Sequence, residues 1–136
     1  MADVFSRRKR SEIMRAVRGR DTTPERVVRK LVWSLGYRYR LHVGSLPGCP
    51  DLVFPSRRRV ILVHGCFWHR HSCKDGRSMP ASRVDYWQAK FERNRMRDRK
   101  SRRALTRLGW RVLVVWECQT KKSASLEALL GSFLSD

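Results

Sequence analysis

The chain has 136 residues, 41% of them apolar, and its 31 lysines and arginines against 12 acidic residues leave a net charge of +19. That length suits one domain with a modest core, and the apolar share is too high for a disordered basic tail. So large an excess of one sign points to a polyanionic partner, and the lack of any long apolar run excludes a membrane-spanning helix.

Residues 1–10, MADVFSRRKR, read as a basic arm for phosphates, and the arginines from Phe5 to Arg20 exclude a secretory signal. A cytosolic location follows as the expectation, with its thiols kept reduced. Ser11 caps a short helix through about Arg18, with Ile13, Met14 and Val17 on one side. Thr22 and Glu25 then fit a capping box, with Pro24 tolerated in the first turn. Val27, Val28, Leu31, Val32 and Leu35 make one apolar helical face, which Gly36 stops.

Tyr37 to Val43 reads as a strand, followed by a Gly/Pro turn from Gly44 to Pro50 and a second strand opening at Asp51. Val60 to Val63 is an unbroken apolar run, as a strand covered on both faces requires, and it leads directly into HGCFWHRHSC, residues 64–73. Val84 to Leu108 looks helical and ends at Gly109. Arg111 to Trp116 is another buried strand, and a helix from Ser125 to Leu134 closes the series. Helix, helix, three strands, helix, strand, helix implies an α/β or α+β domain with a mixed sheet flanked by helices.

Four cysteines in a reducing compartment point to metal before disulfides. Cys66, His71 and Cys73 fall within eight residues, and Cys118 ends a different strand. Thiolates and imidazole are zinc ligands, and four of them close a tetrahedral structural site. His69 competes with His71 for the imidazole position, while Cys49, between Gly48 and Pro50, reads as an ordinary turn residue. Of the remaining histidines, His64 and His69 can move a proton at neutral pH. Asp51, at the start of a neighbouring strand, can hold a hard cation such as Mg2+. The blander reading makes Asp51 a turn residue, His64 a satisfied core histidine and Glu25 a helix-capping acid.

Phe67 and Trp68 occupy a loop expected to face solvent, where aromatic rings in a basic protein stack on or wedge between bases. Tyr86 and Trp87 are placed to join them, whereas Trp33, Trp110 and Trp116 read as core residues. The arginines from Arg93 to Arg103 spread around their helix, so only one side can grip phosphates.

Met14-Arg15-Ala16-Val17, Asp21-Thr22, Leu46-Pro47-Gly48-x-Pro50-Asp51, the block His64-Gly65-Cys66-Phe67-Trp68-His69-x-His71-x-Cys73 and the run from Leu108 to Cys118 together resemble the very short patch repair endonucleases. The likeness extends in order from about Arg10 to Cys118. It implies a restriction-endonuclease-like fold with structural zinc on Cys66, His71, Cys73 and Cys118. It implies Mg2+ on Asp51 and the main-chain carbonyl of Val63, with Glu25 acting near the metal through water. His69 would be the general base and His64 would assist at the phosphate. Phe67, Trp68 and Trp87 would intercalate beside a mismatch, Met14, Arg15 and Asn94 would touch DNA, and Asp98 would support the site.

The implied reaction cuts one strand 5′ to the thymine of a T:G mismatch, such as arises when 5-methylcytosine deaminates. The partner would be mismatched double-stranded DNA, met by a monomer that other repair proteins could assist. Residues 1–20 would be the DNA-contacting arm and short helix, and residues 21–136 the endonuclease domain. Val63 stands where a threonine is familiar, and Cys49 where a basic residue is. The rival readings are a zinc-stabilised module that binds mismatched DNA without cutting it, and a ribosome-associated structural protein.

Overall fold

The computed structural model describes residues 22–66, 69, 71, 73, 77 and 79–135. The expected helix over 11–18, and Met14, Arg15, Phe67 and Trp68, lie outside the described residues. Elements follow in the order α1 (Thr23–Ser34), β1 (Arg40–Leu41), β2 (Leu52–Phe54), β3 (Arg59–His64), α2 (Val84–Arg107), β4 (Arg111–Trp116) and α3 (Ser123–Leu134). The strands form one mixed sheet in the order β1-β2-β3-β4. β1 with β2 and β2 with β3 are antiparallel, while β3 and β4 are parallel and are joined through α2. A parallel pair needs such a crossover, which carries the long helix across the sheet.

Two residues of β1 are paired where a strand from Tyr37 to Val43 was expected. The ladder stops because His42 takes a left-handed backbone, φ 47°, which turns the chain out of the sheet. At the other end of the hairpin β3 runs one residue further each way than its apolar run, so His64 is a strand residue opposite Trp116.

Side chains alternate across the sheet with period two. Leu52, Phe54, Ile61 and Val115 face α1 and α3, joining Val28, Val32, Leu126, Leu130 and Leu134 in the larger cluster. Val53 and Val60 face the other way, packing with Leu105 of α2 and with Trp110. His64 shares the parity of Val60 along β3 and so points to the α2 side. Trp33, expected in the core, is 54% exposed. The buried stripe of α1 is Glu25, Val28 and Val32, and residue 33 is turned about 100° from it. Arg38 instead covers its ring, 3.4 Å from the centroid.

Both interior helices are stopped by the same device. At α1, Gly36 N–H donates to Trp33 O and Tyr37 N–H to Val32 O; at α2, Gly109 N–H donates to Thr106 O and Trp110 N–H to Leu105 O. These paired bonds satisfy carbonyls that a helix end leaves bare, and they need a left-handed residue, here Gly36 at φ 96° and Gly109 at φ 89°. Arg58 then locks the α2 end to the β2–β3 turn, its guanidinium donating to Leu108 O at 2.6 Å and lying over Trp110. Gly109→Ala is therefore expected to lower the unfolding free energy by about 1–2 kcal/mol in denaturant titration. Gly44→Ala, with open space around its Cβ and no positive φ, should change it by less than about 0.5 kcal/mol.

Candidate active site

Helix α1 begins at Thr22, whose hydroxyl accepts the Glu25 N–H at 3.4 Å. The Glu25 carboxylate is turned inward, where it is 2% exposed. It accepts from Arg29 Nη2 at 2.7 Å and lies 3.0 Å from His42 Nε2. Asp51, one residue before β2, faces the same point: its Oδ2 accepts the Val63 N–H at 2.7 Å and its Oδ1 is 3.9 Å from His42 Nε2. The amide of Val63, at the end of β3, is thus what orients this carboxylate. Donor atoms of Glu25, His42 and Asp51 all lie within 4.8 Å of one another. Sequence reading passed over His42, which stood inside an apparent strand with no motif around it.

Beside this trio stands a second one, His64, His69 and Asp98, with donor atoms equally close. His69 Nδ1 hydrogen-bonds the Asp98 carboxylate, which α2 supplies from across the sheet. With Nδ1–H donating there, Nε2 is left as the basic nitrogen. The His64 and His69 rings stack at 3.8 Å and 6° between planes. All of these residues except the buried Glu25 line one cleft of about 280 Å³, which Gly48, Cys49, Arg97 and Ser101 also line. Gly48 is where the turn meets α2, since a Cβ there would sit 2.8 Å from the Ser101 Cβ. Two acids, Asp51 and Asp98, line this cleft and a third, Glu25, is buried beside His42 in a protein of charge +19, which marks it as more than a solvated surface.

Burial dominates the proton affinities here. It pushes the Asp51 carboxyl up from 3.8 to about 8; the Val63 N–H opposes that shift and the Glu25 charge adds to it. It pushes His64 down from 6.5 to about 3, helped by the neighbouring His69. Two converging, poorly solvated carboxylates with an imidazole make a donor set that a divalent cation would relieve.

Cys66, His71, Cys73 and Cys118 form a third cluster, again with all donor atoms within 4.8 Å. His71 Nδ1 lies 3.9 Å from Cys66 Sγ and 3.6 Å from Cys118 Sγ. A tetrahedral zinc with Zn–S about 2.3 Å and Zn–N about 2.0–2.1 Å requires S–N edges of roughly 3.6 Å, so the donors fit that ion. Burial raises the Cys66 thiol well above its ordinary range, a shift that a bound cation would reverse. His71 stacks on Trp116 at 4.4 Å, and Trp116 meets His64 edge-on at 5.3 Å. The indole is thus half-buried between the cysteine cluster and the histidine pair. His69 lies with Asp98, away from the cysteines.

Trp87 is half-buried, against Phe91 at 5.8 Å and Tyr86 at 5.4 Å, while Tyr86 is exposed. Asn94 is half-buried on α2, one turn before Asp98. The arginines of α2 divide by face: Arg97 enters the cleft, and Arg99, Arg102, Arg103 and Arg107 line a separate groove of about 630 Å³ against Val112 and Val114 of β4. That groove is larger, and among the described residues its lining holds neither acid nor imidazole.

A cleft of acids and histidines on a mixed sheet, in a chain this basic, defines a class of DNA-cutting hydrolases. The family model described as DNA mismatch endonuclease Vsr matches residues 2–75, and the chain belongs to that family. It is 52% identical over 134 residues to a type II nicking enzyme, V.XorIIP, of Xanthomonas oryzae, covering 98% of each chain. It is 46% identical over 118 residues to the DNA mismatch endonuclease Vsr of Escherichia coli, covering 87% of this chain and 75% of that one. To the nicking enzyme V.NmeAIP of Neisseria meningitidis it is 40% identical over 124 residues, 91% of this chain and 88% of that protein. Family membership implies the restriction-endonuclease-like fold, with which the mixed four-stranded sheet accords. No helix among the described residues is long and apolar enough to cross a membrane.

The two shifted groups have opposite consequences for stability in the metal-free protein. Between pH 3.8 and about 8, folded Asp51 keeps a proton that the unfolded chain has released, so its contribution falls as pH rises. Between about 3 and 6.5, unfolded His64 binds a proton that the folded chain does not, so its contribution grows as pH rises. The two oppose each other up to about 6.5, and Asp51 acts alone above that. In chelator, the wild type should lose stability from pH 6.5 to 8 relative to Asp51→Asn, as read by urea unfolding at each pH. Parallel pH profiles for the two proteins would refute this assignment.

Proposed function

We propose that this chain is a strand-specific DNA endonuclease that nicks 5′ to the thymine of T:G mismatches arising from 5-methylcytosine deamination, by Mg2+-dependent hydrolysis. The observation that carries the reading is the cleft shared by Asp51, which is paired with the buried Glu25, and a carboxylate-oriented imidazole, His69. Asp51 and the Val63 main-chain carbonyl would hold the magnesium, with Glu25 beside it. When bound, that ion supplies charge for the phosphate and polarises water.

His69 takes the proton of the attacking water at Nε2, while Asp98 holds its tautomer and faces the imidazolium that forms. His64, whose proton affinity burial lowers in the free protein, would assist at the phosphate through a ring N–H. The water oxygen bonds to phosphorus, the bond to the 3′ oxygen breaks, and that oxygen takes up a proton. The products are a 5′-phosphate and a 3′-hydroxyl.

Phe67, Trp68 and Trp87 would wedge into the stack beside the mismatch, and Met14, Arg15 and Asn94 would hold the flanking DNA. Cys66, His71, Cys73 and Cys118 would carry structural zinc. The protein would act as a cytoplasmic monomer at the nucleoid, with other repair proteins as possible helpers.

A labelled duplex with one T:G pair, set beside its T:A counterpart, tests the activity. Nicking should occur only at T:G, should be supported by Mg2+ and lost without a divalent cation, should vanish in Asp51→Asn without loss of binding, and should slow about 10²–10⁴-fold in His69→Ala. Tight mismatch binding with no nick would favour the non-cleaving module instead. For the cysteine cluster, a strong zinc chelator should lower the thermal midpoint, with recovery on adding Zn2+ but not Mg2+. An unchanged melt after complete metal removal would sink the structural role.

A further inference from the structure

We propose that His42 is a third protein ligand of the cation held by Asp51 and the Val63 carbonyl, next to Glu25, and that its imidazole makes the site prefer a first-row transition ion to Mg2+. This rests on the reading of Asp51 as a cation ligand. The His42 side chain is 11% exposed, and its Nε2 faces both carboxylates, 3.0 Å from Glu25 Oε2 and 3.9 Å from Asp51 Oδ1. In an octahedral site with metal–donor bonds of about 2.1 Å, neighbouring donors are roughly 3.0 Å apart and opposite ones about 4.2 Å. The Glu25–His42 edge already has the first spacing, and the His42–Asp51 edge falls between the two.

The backbone supplies an independent observation. His42 is a non-glycine residue at φ 47°, a left-handed conformation uncommon for non-glycine residues though less so for histidine, and one that Cys49, Arg58 and Arg83 also adopt. Its N–H donates at 3.2 Å to the carbonyl of Asp51, the residue whose carboxylate its ring faces. The left-handed turn ends β1 early and places the imidazole against the carboxylate pair. A strand continued through His42 would keep the chain in the ladder and forgo that placement.

The donor chemistry then sets the preference. Mg2+ favours oxygen ligands and retained water, whereas imidazole strengthens binding of transition ions. Mn2+ is the suitable probe because it takes the same geometry and is paramagnetic.

The experiment uses the full chain with its zinc retained, titrated with Mn2+ and followed by electron paramagnetic resonance, with Mg2+ added as competitor. Spin-echo modulation on the bound Mn2+ should show coupling to an imidazole 14N. His42→Asn, which tolerates the left-handed backbone, should lose that coupling and weaken Mn2+ binding roughly tenfold or more, with a far smaller change for Mg2+. His42→Gly should behave alike, and circular dichroism melts check that each variant folds. Absence of nitrogen coupling in the wild type, or its persistence in both His42 variants, overturns the assignment. Should neither variant fold, coupling in the wild type that disappears with Asp51→Asn supports it. Mn2+ binding unchanged by Asp51→Asn would instead remove the parent reading, whereas binding weakened by Asp51→Asn but not by the His42 variants removes the His42 inference alone.

Discussion

Six consecutive residue pairs hold β3 against β4, from Arg59 opposite Arg111 to His64 opposite Trp116, and the chemistry of the protein hangs on where that parallel ladder ends. Two residues past its last pair on either strand come Cys66 and Cys118, close enough for the Cys118 N–H to reach Cys66 Sγ at 3.4 Å. His64 is itself the last paired residue of β3, and the amide just before it orients Asp51. A shift of the ladder by one residue would turn His64 to the opposite face and part the cysteines. The buried apolar residues Val60, Ile61 and Val115 fix this register, because each must find its own side of the sheet.

The second constraint is electrostatic. Thirty-one basic residues give this chain a charge that attracts phosphate, yet carboxylates gather at the cleft. Arg97 enters it alone from the arginine-rich helix, while four other arginines turn to the groove along β4. The cleft therefore offers a divalent cation a seat inside a field that draws in a polyanion. Burial keeps the two charge systems apart, at the cost of a carboxyl group that holds its proton to about pH 8 without a metal.

Local chemistry was readable in the sequence; partners distant along the chain were not. The glycines at 36 and 109 announced the helix ends because a left-handed residue after an apolar face has few other uses. Cys66, His71 and Cys73 drew attention by their spacing, and Asp51 by its position at the head of a strand. His42 carried no such mark: a single histidine among Tyr37, Tyr39 and Val43 looks like one more strand residue until the backbone reverses there. For Trp33 a large aromatic on an amphipathic helix suggests burial, whereas its angle from Val28 and Val32 leaves it under Arg38 at the surface. Asp98 is 29 residues from His69, and only the packing of α2 over the sheet joins them. Nothing in the residues around it distinguishes this aspartate, and the family resemblance alone had singled it out.

The parallel pairing of β3 with β4 also sets an order of assembly. Cys66, His71 and Cys73 leave the ribosome together, but their fourth companion, Cys118, follows only after the whole of α2 and β4 has been made. Until then a nascent chain exposes three soft donors and a half-paired strand, with neither the cluster nor the edge beside His64 in place. Glu25, His42 and Asp51 are synthesised early, yet the partner of His69 comes with α2. This topology defers closure of the cluster until both the long crossover helix and the strand it delivers have been made.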